Sequence, residues 1–300
     1  MVALATSRAA PGIPAVGEVG LAPRRRPWRE ASALPGFAGA LGFTLLYVSL
    51  VILLPLAALA TRPWEHGPAA VADVVFKART LAALRLSFTA ALAAALVNVA
   101  MGLLIAWVLG RYRFPGRRVV DALVDLPFAL PTAVAGIALA TLYGPNGWIG
   151  AALGRIGVKV AFTPAGVFVA LLAVGLPFVV RAVQPVLEDL DASLEEAART
   201  LGALPFQTFA RVVLPALAPA LITGFALAFA RGAGEYGSVI FIAGNMPGVS
   251  EIAPLVIVTR LEQYDYAGAA AVGMAMLALS LLTLVAVNAV QVTLSRRGAR

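Results

Sequence analysis

The 300-residue chain contains no cysteine, a single histidine and little charge. Without cysteine it has no disulfide, no thiol catalysis and no thiolate metal site. The lone His66 lies beside Pro63, Trp64 and Pro68, and because no second histidine exists to share a metal, we interpret it as an ordinary loop residue. Charged residues make up 13% of the chain, whereas soluble domains contain about 25%. The composition therefore indicates an integral membrane protein.

Long uncharged segments support this interpretation. Asp, Glu, Lys and Arg are all absent from 41–61, 86–110, 126–154, 160–180, 212–230 and 266–295. Each segment is near or above the roughly 17–25 residues that a helix needs to cross a bilayer. Strands of a membrane barrel are shorter, about 10 residues, and alternate in polarity. The sequence thus predicts an all-α integral membrane protein with six transmembrane helices.

The predicted spans cover approximately residues 40–61, 86–110, 119–143, 164–187, 212–232 and 267–294. Pro127 and Pro131 fall inside the third span, where each removes a backbone donor and predicts a kink or a break. Asp121 and Asp125 lie in its first turns, where the helix dipole favours negative charge. The apolar segment 236–258 is interrupted by glycine and proline, and predicts a short re-entrant segment or a pair of helices at the outer face.

Arginine clusters give the expected orientation. They precede the first span, separate the second from the third and follow the sixth: Arg24, Arg25, Arg26, Arg29, Arg111, Arg113, Arg117, Arg118, Arg296, Arg297 and Arg300. Six crossings place all three clusters on one side, which the positive-inside rule makes cytoplasmic, so both termini are expected there. The first outer loop departs from this bias through Arg62, Lys77, Arg79 and Arg85. We attribute the net charge of +8 mostly to these flanking arginines and not to nucleic-acid binding.

Two regions follow from this pattern. Residues 1–35 contain five prolines and no apolar run of signal-peptide length, and they predict a mobile basic N-terminal tail. Residues 36–300 form the predicted transmembrane domain, with a cytoplasmic loop at 188–211.

That cytoplasmic loop carries an apolar stripe with helical spacing. Its members are Leu190, Leu194, Ala197, Ala198 and Leu201. Ser193, with Glu196 three residues later, predicts a helix start. Gly202 predicts the helix end, and Pro205 a stop or the first turn of a second helix. Such a stripe either packs on the inner ends of the chain's own helices or is covered by a partner.

The same loop resembles the EAA loop of ABC importer permeases. Its spacing matches at every position, with valine in place of the usual isoleucine: Glu196, Ala197, Ala198, Gly202, Val212, Leu214 and Pro215. The resemblance implies a type I ABC importer permease fold, in which this loop forms coupling helices that dock in a groove of an ATPase subunit. It further implies that Glu196 and the two alanines face the ATPase and that Gly202 forms the turn.

The chain has no ATP site of its own. Its only lysines, Lys77 and Lys159, follow Phe76 and Val158, so the phosphate-binding G-x-x-x-x-G-K-[ST] pattern is absent. We therefore expect no cofactor on this chain and ATP-Mg on a partner ATPase. An intramembrane enzyme is disfavoured, because one loop histidine leaves no Ser-His or metal constellation. No catalytic residue and no metal ligand are predicted.

Arg231 and Glu235 form the second informative feature, one helical turn apart near the outer end of the fifth span. A lone charge deep in a bilayer costs about 2.5–3.5 kcal/mol, so the two are either a structural ion pair or part of an oxyanion gate. Ser238 and Asn245 join them as candidate pathway residues. A nominal G-x-G-x-x-G at 232–237 follows a membrane helix and not a strand, which argues against a dinucleotide site. Further polar candidates, for the pathway or for helix packing, are Asn98, Thr132 and Thr141.

Together with residues 251–255 and 259–268, this stretch resembles the sulfate/thiosulfate branch of these permeases, and in particular its T-type subunit. Residues 34–37 and 42–47 add to the similarity, which extends over about 34–294. The resemblance implies a multi-pass protein of the bacterial inner membrane. It implies as partners a homologous second permease, an ATPase dimer and a periplasmic sulfate-binding protein.

The expected function is that of a channel-forming subunit that moves sulfate or thiosulfate inward by alternating access, coupled to a separate ATPase. The sister molybdate/tungstate permeases share the Arg-x-x-x-Glu-aromatic-Gly core and are an alternative. A self-sufficient secondary anion carrier is an alternative of a different class, and the coupling loop argues against it.

Overall fold

The computed structural model describes residues 37–298, without the side chains of 290 and 292–298. Helices and turns account for all of its regular structure, and the described residues contain no strand. The predicted tail at 1–35 lies outside them. The chain divides into two compact units after Ile52.

In the first unit, helix α1 (Phe37–Val48) is apolar and has no buried residue. The rings of Phe43 and Tyr47, one turn apart, stack with their centroids 6.5 Å from each other. A π-helical turn, Ser49–Leu53, follows α1.

The second unit begins with several short helical elements and a long helix. Its elements are α2 (Leu54–Thr61), a 3-10 turn (Arg62–His66), α3 (Gly67–Val75) and α4 (Ala78–Arg111). The second predicted span thus starts eight residues before its expected position. At 1.5 Å per residue, the 34 residues of α4 extend about 51 Å. Because a bilayer core is about 30 Å thick, α4 is long enough for the arginines at its two ends to lie outside lipid.

The predicted third span is not a single helix. It is divided into α5 (Arg117–Val124), α6 (Leu126–Ala129) and α7 (Thr132–Tyr143). Leu130 adopts an extended conformation (φ −82°, ψ 134°), as expected of a residue that precedes proline. Pro131 then lies at the N-terminal cap of α7. The break that the two prolines predict is confirmed.

Eight further helices complete the unit: α8 (Trp148–Gly154), α9 (Pro164–Glu188), α10 (Ala192–Thr200), α11 (Pro205–Thr208), α12 (Leu214–Ala233), α13 (Val239–Ile242), α14 (Ala253–Glu262) and α15 (Tyr266–Gly298). The segment between the last two predicted spans is therefore a helix pair, α13 and α14.

Five stretches of the described residues are long and apolar enough to cross a membrane. They are Phe37–Val75, Ala78–Arg111, Pro164–Glu188, Pro205–Ala233 and Tyr266–Ala289. The sequence predicts six, and the difference is the broken third span, whose longest helix, Thr132–Tyr143, has only 12 residues.

Helices α4, α9 and α12 form the core, and small residues bring them together. Val179 of α9 lies between Gly102 of α4 and Gly224 of α12. A Cβ atom at Gly102 would stand 2.7 Å from Val179 Cγ1, and one at Gly224 would stand 2.9 Å from Val179 Cα. Buried alanines line the same face of α4: Ala90, Ala91, Ala94, Ala95 and Ala106. Close backbone approach through small residues is typical of helix packing in membranes.

A smaller apolar cluster joins the start of α4 to α14 and α15. It consists of Ala83, Leu84, Ala253, Val256 and Val272. The buried Ser87 hydroxyl accepts a hydrogen bond of 2.9 Å from the Ala253 amide, which satisfies the first turn of α14. This cluster holds α14 against the end of α4 that is distant from the loop at 188–211.

Candidate functional site

The loop at 188–211 begins its helix two residues earlier than predicted. Asp191, not Ser193, is the N-terminal cap of α10, and its carboxylate accepts a hydrogen bond of 2.9 Å from the Ser193 amide. An aspartate at this position satisfies an amide that the helix leaves unpaired. The Ser193 backbone bond, followed by the Ser193 side chain, lowers the pKa of Asp191 below its ordinary value, because both stabilise the carboxylate. The predicted capping box of Ser193 and Glu196 is therefore wrong.

The turn that follows lies where the sequence predicts it. Gly202 has a φ of +82°, in the left-handed region that glycine adopts without strain. Its amide bonds to Arg199 O at 2.9 Å and the Ala203 amide to Ala198 O at 3.0 Å, which closes the end of α10. Pro205 then forms the first residue of α11.

The residues of the EAA-like motif divide into two groups in the structure. Glu196, Ala197 and Gly202 are exposed on the loop and Ala198 is half-buried. Leu214 and Pro215 start α12, where Leu214 packs partly against the core and Pro215 occupies the first turn. The first group is thus available to a partner, and the second connects the loop to a core helix.

The apolar stripe of α10 is largely uncovered within this chain. Leu190 packs partly against the core, but Leu194 and Leu201 are exposed. Leu201 is 88% and Phe206 78% exposed, on either side of the Gly202 turn. We name the four exposed side chains the loop patch: Leu194, Leu201, Leu204 and Phe206. Packing on the chain's own helix ends therefore accounts for only part of the stripe.

An ion pair holds α10 to the end of α4. Arg111 Nη2 lies 2.5 Å from Glu195 Oε1, and both side chains are mostly buried. The Arg111 guanidinium also lies over the Trp107 ring at 5.7 Å, and Trp107 meets Phe209 edge-on at 5.5 Å. The sequence does not single out Glu195, since two adjacent glutamates give no signal of which one points inward.

A second charge cluster surrounds Arg181 of α9. Its guanidinium binds both carboxylate oxygens of Asp125, at 2.7 and 2.6 Å, and donates to Asp121 Oδ1 at 2.7 Å. Gln184 accepts a further bond from Arg181 at 2.8 Å. Bidentate arginine–carboxylate pairs are among the strong, directional hydrogen bonds of proteins. The two aspartates therefore tie α5 to α9, a role that the helix-dipole interpretation missed.

Three of the candidate gate residues form a cluster at the end of α12 around a buried carboxylate. Arg231 Nη1 lies 2.5 Å from Glu235 Oε2, and the Glu235 side chain is only 1% exposed. The other oxygen of Glu235 accepts bonds of 2.9 Å from the Ser238 amide and hydroxyl. The segment also packs closely on α7, because a Cβ at Gly136 would stand 2.4 Å from Ser238 O. The structure thus brings together three of the four predicted residues.

The fourth predicted residue, Asn245, bonds within its own segment. Its amide nitrogen donates to Ile240 O at 2.9 Å, while its oxygen is buried without a partner. Thr141 is satisfied by Ile137 O of its own helix, and Asn98 is buried in the core. Thr132 adjoins the cluster, because a Cβ at Gly237 would stand 2.2 Å from Thr132 Oγ1.

A further buried carboxylate lies near the opposite end of α4 from the loop. Glu251 is 3% exposed and binds Arg79 through both oxygens, at 2.8 and 2.6 Å. No sequence signal connects these two residues, because 172 positions separate them. Among the described residues, no three His, Asp or Glu side chains are grouped to hold a metal ion.

Comparison with known proteins places this geometry in a family. Residues 99–298 match the family model of the binding-protein-dependent transport system inner membrane component. The chain is 50% identical over 264 residues to the sulfate transport system permease protein CysT of Salmonella typhimurium, covering 88% of this chain and 95% of the relative. It is 48% identical over 264 residues to CysT of Escherichia coli, with the same coverages.

A probable sulfate transport system permease protein of Nephroselmis olivacea is 51% identical over 248 residues, 83% of this chain and 87% of the relative.

Among solved structures, a bacterial ABC transporter involved in alginate import superposes with a TM-score of 0.71 at 16% identity, covering 85% of this chain and 94% of that chain. The MetNI methionine ABC transporter superposes with a TM-score of 0.56 at 19% identity, covering 71% and 94%. These likenesses support the fold of an ABC transporter permease. The chain therefore belongs to the family of binding-protein-dependent transport system inner membrane components.

Proposed function

We propose that this chain is the channel-forming permease subunit of an ATP-driven importer of sulfate or thiosulfate. As a member of its family, it is a multi-pass permease component of an inner membrane and not an enzyme by itself. The observation that supports sulfate as the substrate is the identity of about 50% to sulfate permeases over nearly their whole length. The matched 264 residues make up 88% of this chain and 95% of each of these two relatives.

The loop patch is the proposed contact with a separate ATPase. Large apolar side chains such as Leu201 and Phe206 are exposed on a charged loop, and exposed apolar patches mark protein interaction sites. Glu196 and Ala197 lie on the same loop and would complete the contact. Movement of the ATPase would reach the core helices by two routes. One is the Arg111–Glu195 ion pair, and the other is the start of α12 at Leu214 and Pro215.

The proposed topology has six crossings with both termini cytoplasmic. Helices α5 to α7 supply the sixth crossing, because residues 117–143 contain 27 positions, enough for a bilayer even with a break. Arg111 and Arg117 pair with Glu195 and Glu188 of the loop at 188–211, so this arginine cluster lies on the loop's side of the protein, which the positive-inside rule makes cytoplasmic.

The proposed complex contains this chain, a homologous second permease, an ATPase dimer that binds ATP-Mg, and a periplasmic sulfate-binding protein. This chain itself binds no cofactor in the proposal. ATP binding closes the ATPase dimer, moves the coupling helices and opens the pore outward, where the binding protein releases its anion. A ligand-driven switch of this kind needs packed helices that can adopt two arrangements. The broken α5–α7 segment is suited to be a part that changes its arrangement.

Arg231 and Glu235 are the proposed gate near the pore. Glu235 neutralises Arg231 and is itself held by Ser238, so Arg231 can attract an oxyanion without leaving an uncompensated charge in lipid. Asn245 would contribute its unpartnered oxygen to the polarity of the same region.

Uptake of radiolabelled sulfate tests the substrate. The chain is expressed with its ATPase and second permease in cells that lack their own sulfate uptake, and the competitors are thiosulfate, molybdate and tungstate. Strong competition by thiosulfate alone supports the proposal, whereas stronger competition by molybdate or tungstate would assign the chain to that alternative. Uptake that needs an ion gradient but no ATPase would instead identify a secondary carrier.

A further inference from the structure

The two halves of the broken third span are bound to different parts of the chain. The half nearer the loop at 188–211, α5 and α6, contacts the end of α9, and the other half, α7, contacts the segment of the candidate gate. A Cβ at Gly136 would stand 2.4 Å from Ser238 O, and one at Gly237 would stand 2.2 Å from Thr132 Oγ1. Thr132 is the first residue of α7, so this contact begins directly after the break.

Arg181 binds the end of α5 through both side chains and backbone. Besides its bonds to the carboxylates of Asp121 and Asp125, its Nη2 donates to the Asp121 carbonyl at 3.0 Å. That carbonyl belongs to the last turn of α5, where the helix itself supplies no partner. The planar guanidinium can satisfy all these acceptors at once, which the ammonium of a lysine could not do with the same geometry. We name these three residues the arginine clamp.

An edge-on ring contact joins the same two helices beside two prolines. Phe128 of α6 meets Phe178 of α9 with the ring centroids 5.0 Å apart and the planes at 88°. Pro177 directly precedes Phe178 inside α9, and Pro131 follows Phe128 by three residues at the break. A proline inside a helix removes a backbone hydrogen bond and permits a kink. Both segments therefore have a point of weaker backbone next to this contact.

The start of α9 belongs with α7 and not with the arginine clamp. The Phe162 amide donates to Ile242 O at 2.6 Å, and a Cβ at Gly166 would stand 2.8 Å from the same oxygen. Helix α13, which ends at Ile242, thus packs on the start of α9 and, through Ser238 at its N-terminus, on α7. The contacts define two groups: a loop-side group of α5, α6 and the end of α9, and a gate-side group of α7, α13 and the start of α9.

The loop-side group is continuous with the loop at 188–211. Arg181 donates to Gln184 at 2.8 Å, and Gln184 donates to Glu188 Oε1 at 3.1 Å. Arg117 of α5 donates to the same oxygen of Glu188 at 3.2 Å. Glu188 ends α9 and lies three residues before Asp191, the cap of α10. Movement of the loop therefore acts directly on the end of α9 and, through the clamp, on α5.

We infer that Arg181 is a positioning residue that makes α5 and α6 move with the end of α9, while α7 stays with the candidate gate segment. The two groups change their relative orientation at Pro131 and Pro177, since a hinge is a short segment that absorbs backbone change between rigid parts. This is a third route from the loop, beside the Arg111–Glu195 pair and the start of α12. It rests on the proposed function, in which an ATPase moves that loop.

Distances between spin labels test the two groups in the assembled complex. Because the chain lacks cysteine, cysteines can be introduced in pairs at exposed positions, and complex with the unaltered chain measures labelling of the partners. The pairs are Leu123→Cys with Val186→Cys, Ile137→Cys with Phe241→Cys, and Leu123→Cys with Ile137→Cys. Between nucleotide-free complex and complex trapped with ATP and vanadate, we expect the first two distances to change by less than about 2 Å and the third by at least about 5 Å.

The double variant Asp121→Asn, Asp125→Asn tests the arginine clamp itself. It removes both charge-assisted acceptors and keeps the side-chain shapes. We expect the sulfate taken up per ATP hydrolysed to fall at least about threefold. A purely structural role would lower uptake and hydrolysis together and leave their ratio unchanged. Asp189→Asn, at an exposed aspartate directly after α9, is the matched control and should keep the ratio of the unaltered complex.

A constant distance between 123 and 137, or an equal change between 123 and 186, would overturn the inference. An unchanged ratio of uptake to hydrolysis in the double variant would overturn it as well. If the double variant does not assemble, Arg181→Lys replaces it, because lysine keeps the charge but not the bidentate geometry. ATP-driven uptake by the unaltered complex is measured in parallel. Uptake with constant distances refutes the two groups alone, whereas absence of ATP-driven uptake refutes the proposed function.

Discussion

Arg111 at the end of α4 and Glu195 in α10 form an ion pair of 2.5 Å that holds the loop at 188–211 to a core helix. The adjacent Glu196 is exposed and has no ion pair among the described residues. Two consecutive glutamates therefore differ in environment: Glu195 positions α10 within the chain, and Glu196 is exposed for the proposed contact with an ATPase.

Replacement of each glutamate in turn by glutamine distinguishes these roles. Glu195→Gln should lower the stability of the complex by about 1–3 kcal/mol, because it leaves the mostly buried Arg111 without its carboxylate. Glu196→Gln should leave stability unchanged and reduce only transport-coupled ATP hydrolysis. Thermal unfolding of the purified complex and its ATPase rate measure the two effects. Equal destabilisation by both substitutions would contradict this assignment.

The backbone at Gly202 gives a test of the turn. Gly202→Val should abolish uptake and ATPase co-purification, because a β-branched residue at φ +82° costs about 1–2 kcal/mol. Gly202→Asn should retain most activity, since asparagine adopts this conformation. Nothing lies within 4 Å of a Cβ at Gly202, so the effect is one of backbone and not of space. Normal uptake by the valine variant in correctly inserted protein would refute the coupling-loop assignment.

The loop patch gives a test of the ATPase contact. Leu201→Ser with Phe206→Ser should remove ATPase co-purification without lowering membrane insertion, because both side chains are exposed within this chain. Phe76→Ser serves as the control, since Phe76 is also exposed at 70% but precedes the other end of α4. Similar loss in the control would show a general effect of removing surface apolar groups.

The Arg231–Glu235 pair can be structural, a gate, or both. Arg231→Ala should destabilise the complex by about 3 kcal/mol, because it leaves the buried Glu235 carboxylate uncompensated. The double variant Arg231→Met, Glu235→Leu should recover stability, as apolar replacement of a buried pair often does. We expect the double variant not to recover transport. If it recovers both stability and transport, the pair has only a structural role. If Arg231→Ala and Glu235→Ala each transport at the unaltered rate, neither role exists.

The cap of α10 has a defined pH dependence. Hydrogen bonds from Ser193 lower the pKa of Asp191 in the folded chain, so the cap is complete above the unfolded value near 3.9. Its contribution to stability is lost as the pH falls through the lowered folded pKa. The Ser193 amide should therefore stay protected from hydrogen exchange by this cap throughout pH 6–8. Asp191→Asn should remove the acid transition and preserve much of the cap, whereas an unchanged transition would assign it to another group.

Much of the fold follows from local sequence signals. Runs without charge predict membrane helices because unpaired charge is excluded from lipid, and four of the predicted spans appear as single long helices. Pro131 predicts the break in the third, and Gly202 the turn of the loop, because both restrict or permit particular backbone angles. The motif from Glu196 to Pro215 follows α9 and ends in the first turn of α12.

Other features depend on distant residues. Arg79 meets Glu251, and Arg181 meets Asp125, only after the helices pack. No local pattern indicates these contacts, because each joins segments that lie far apart along the chain.

The sequence by itself determined the membrane class, the breaks in its helices and the loop that would couple to an ATPase, since charge, proline and glycine act on their immediate neighbours. Only the tertiary structure decided which glutamate, Glu195 or Glu196, faces inward, and which carboxylates neutralise Arg79 and Arg181. The physical reason is that ion pairing and burial depend on the packing of α4, α9, α12 and α14, which brings together charges that the chain keeps apart.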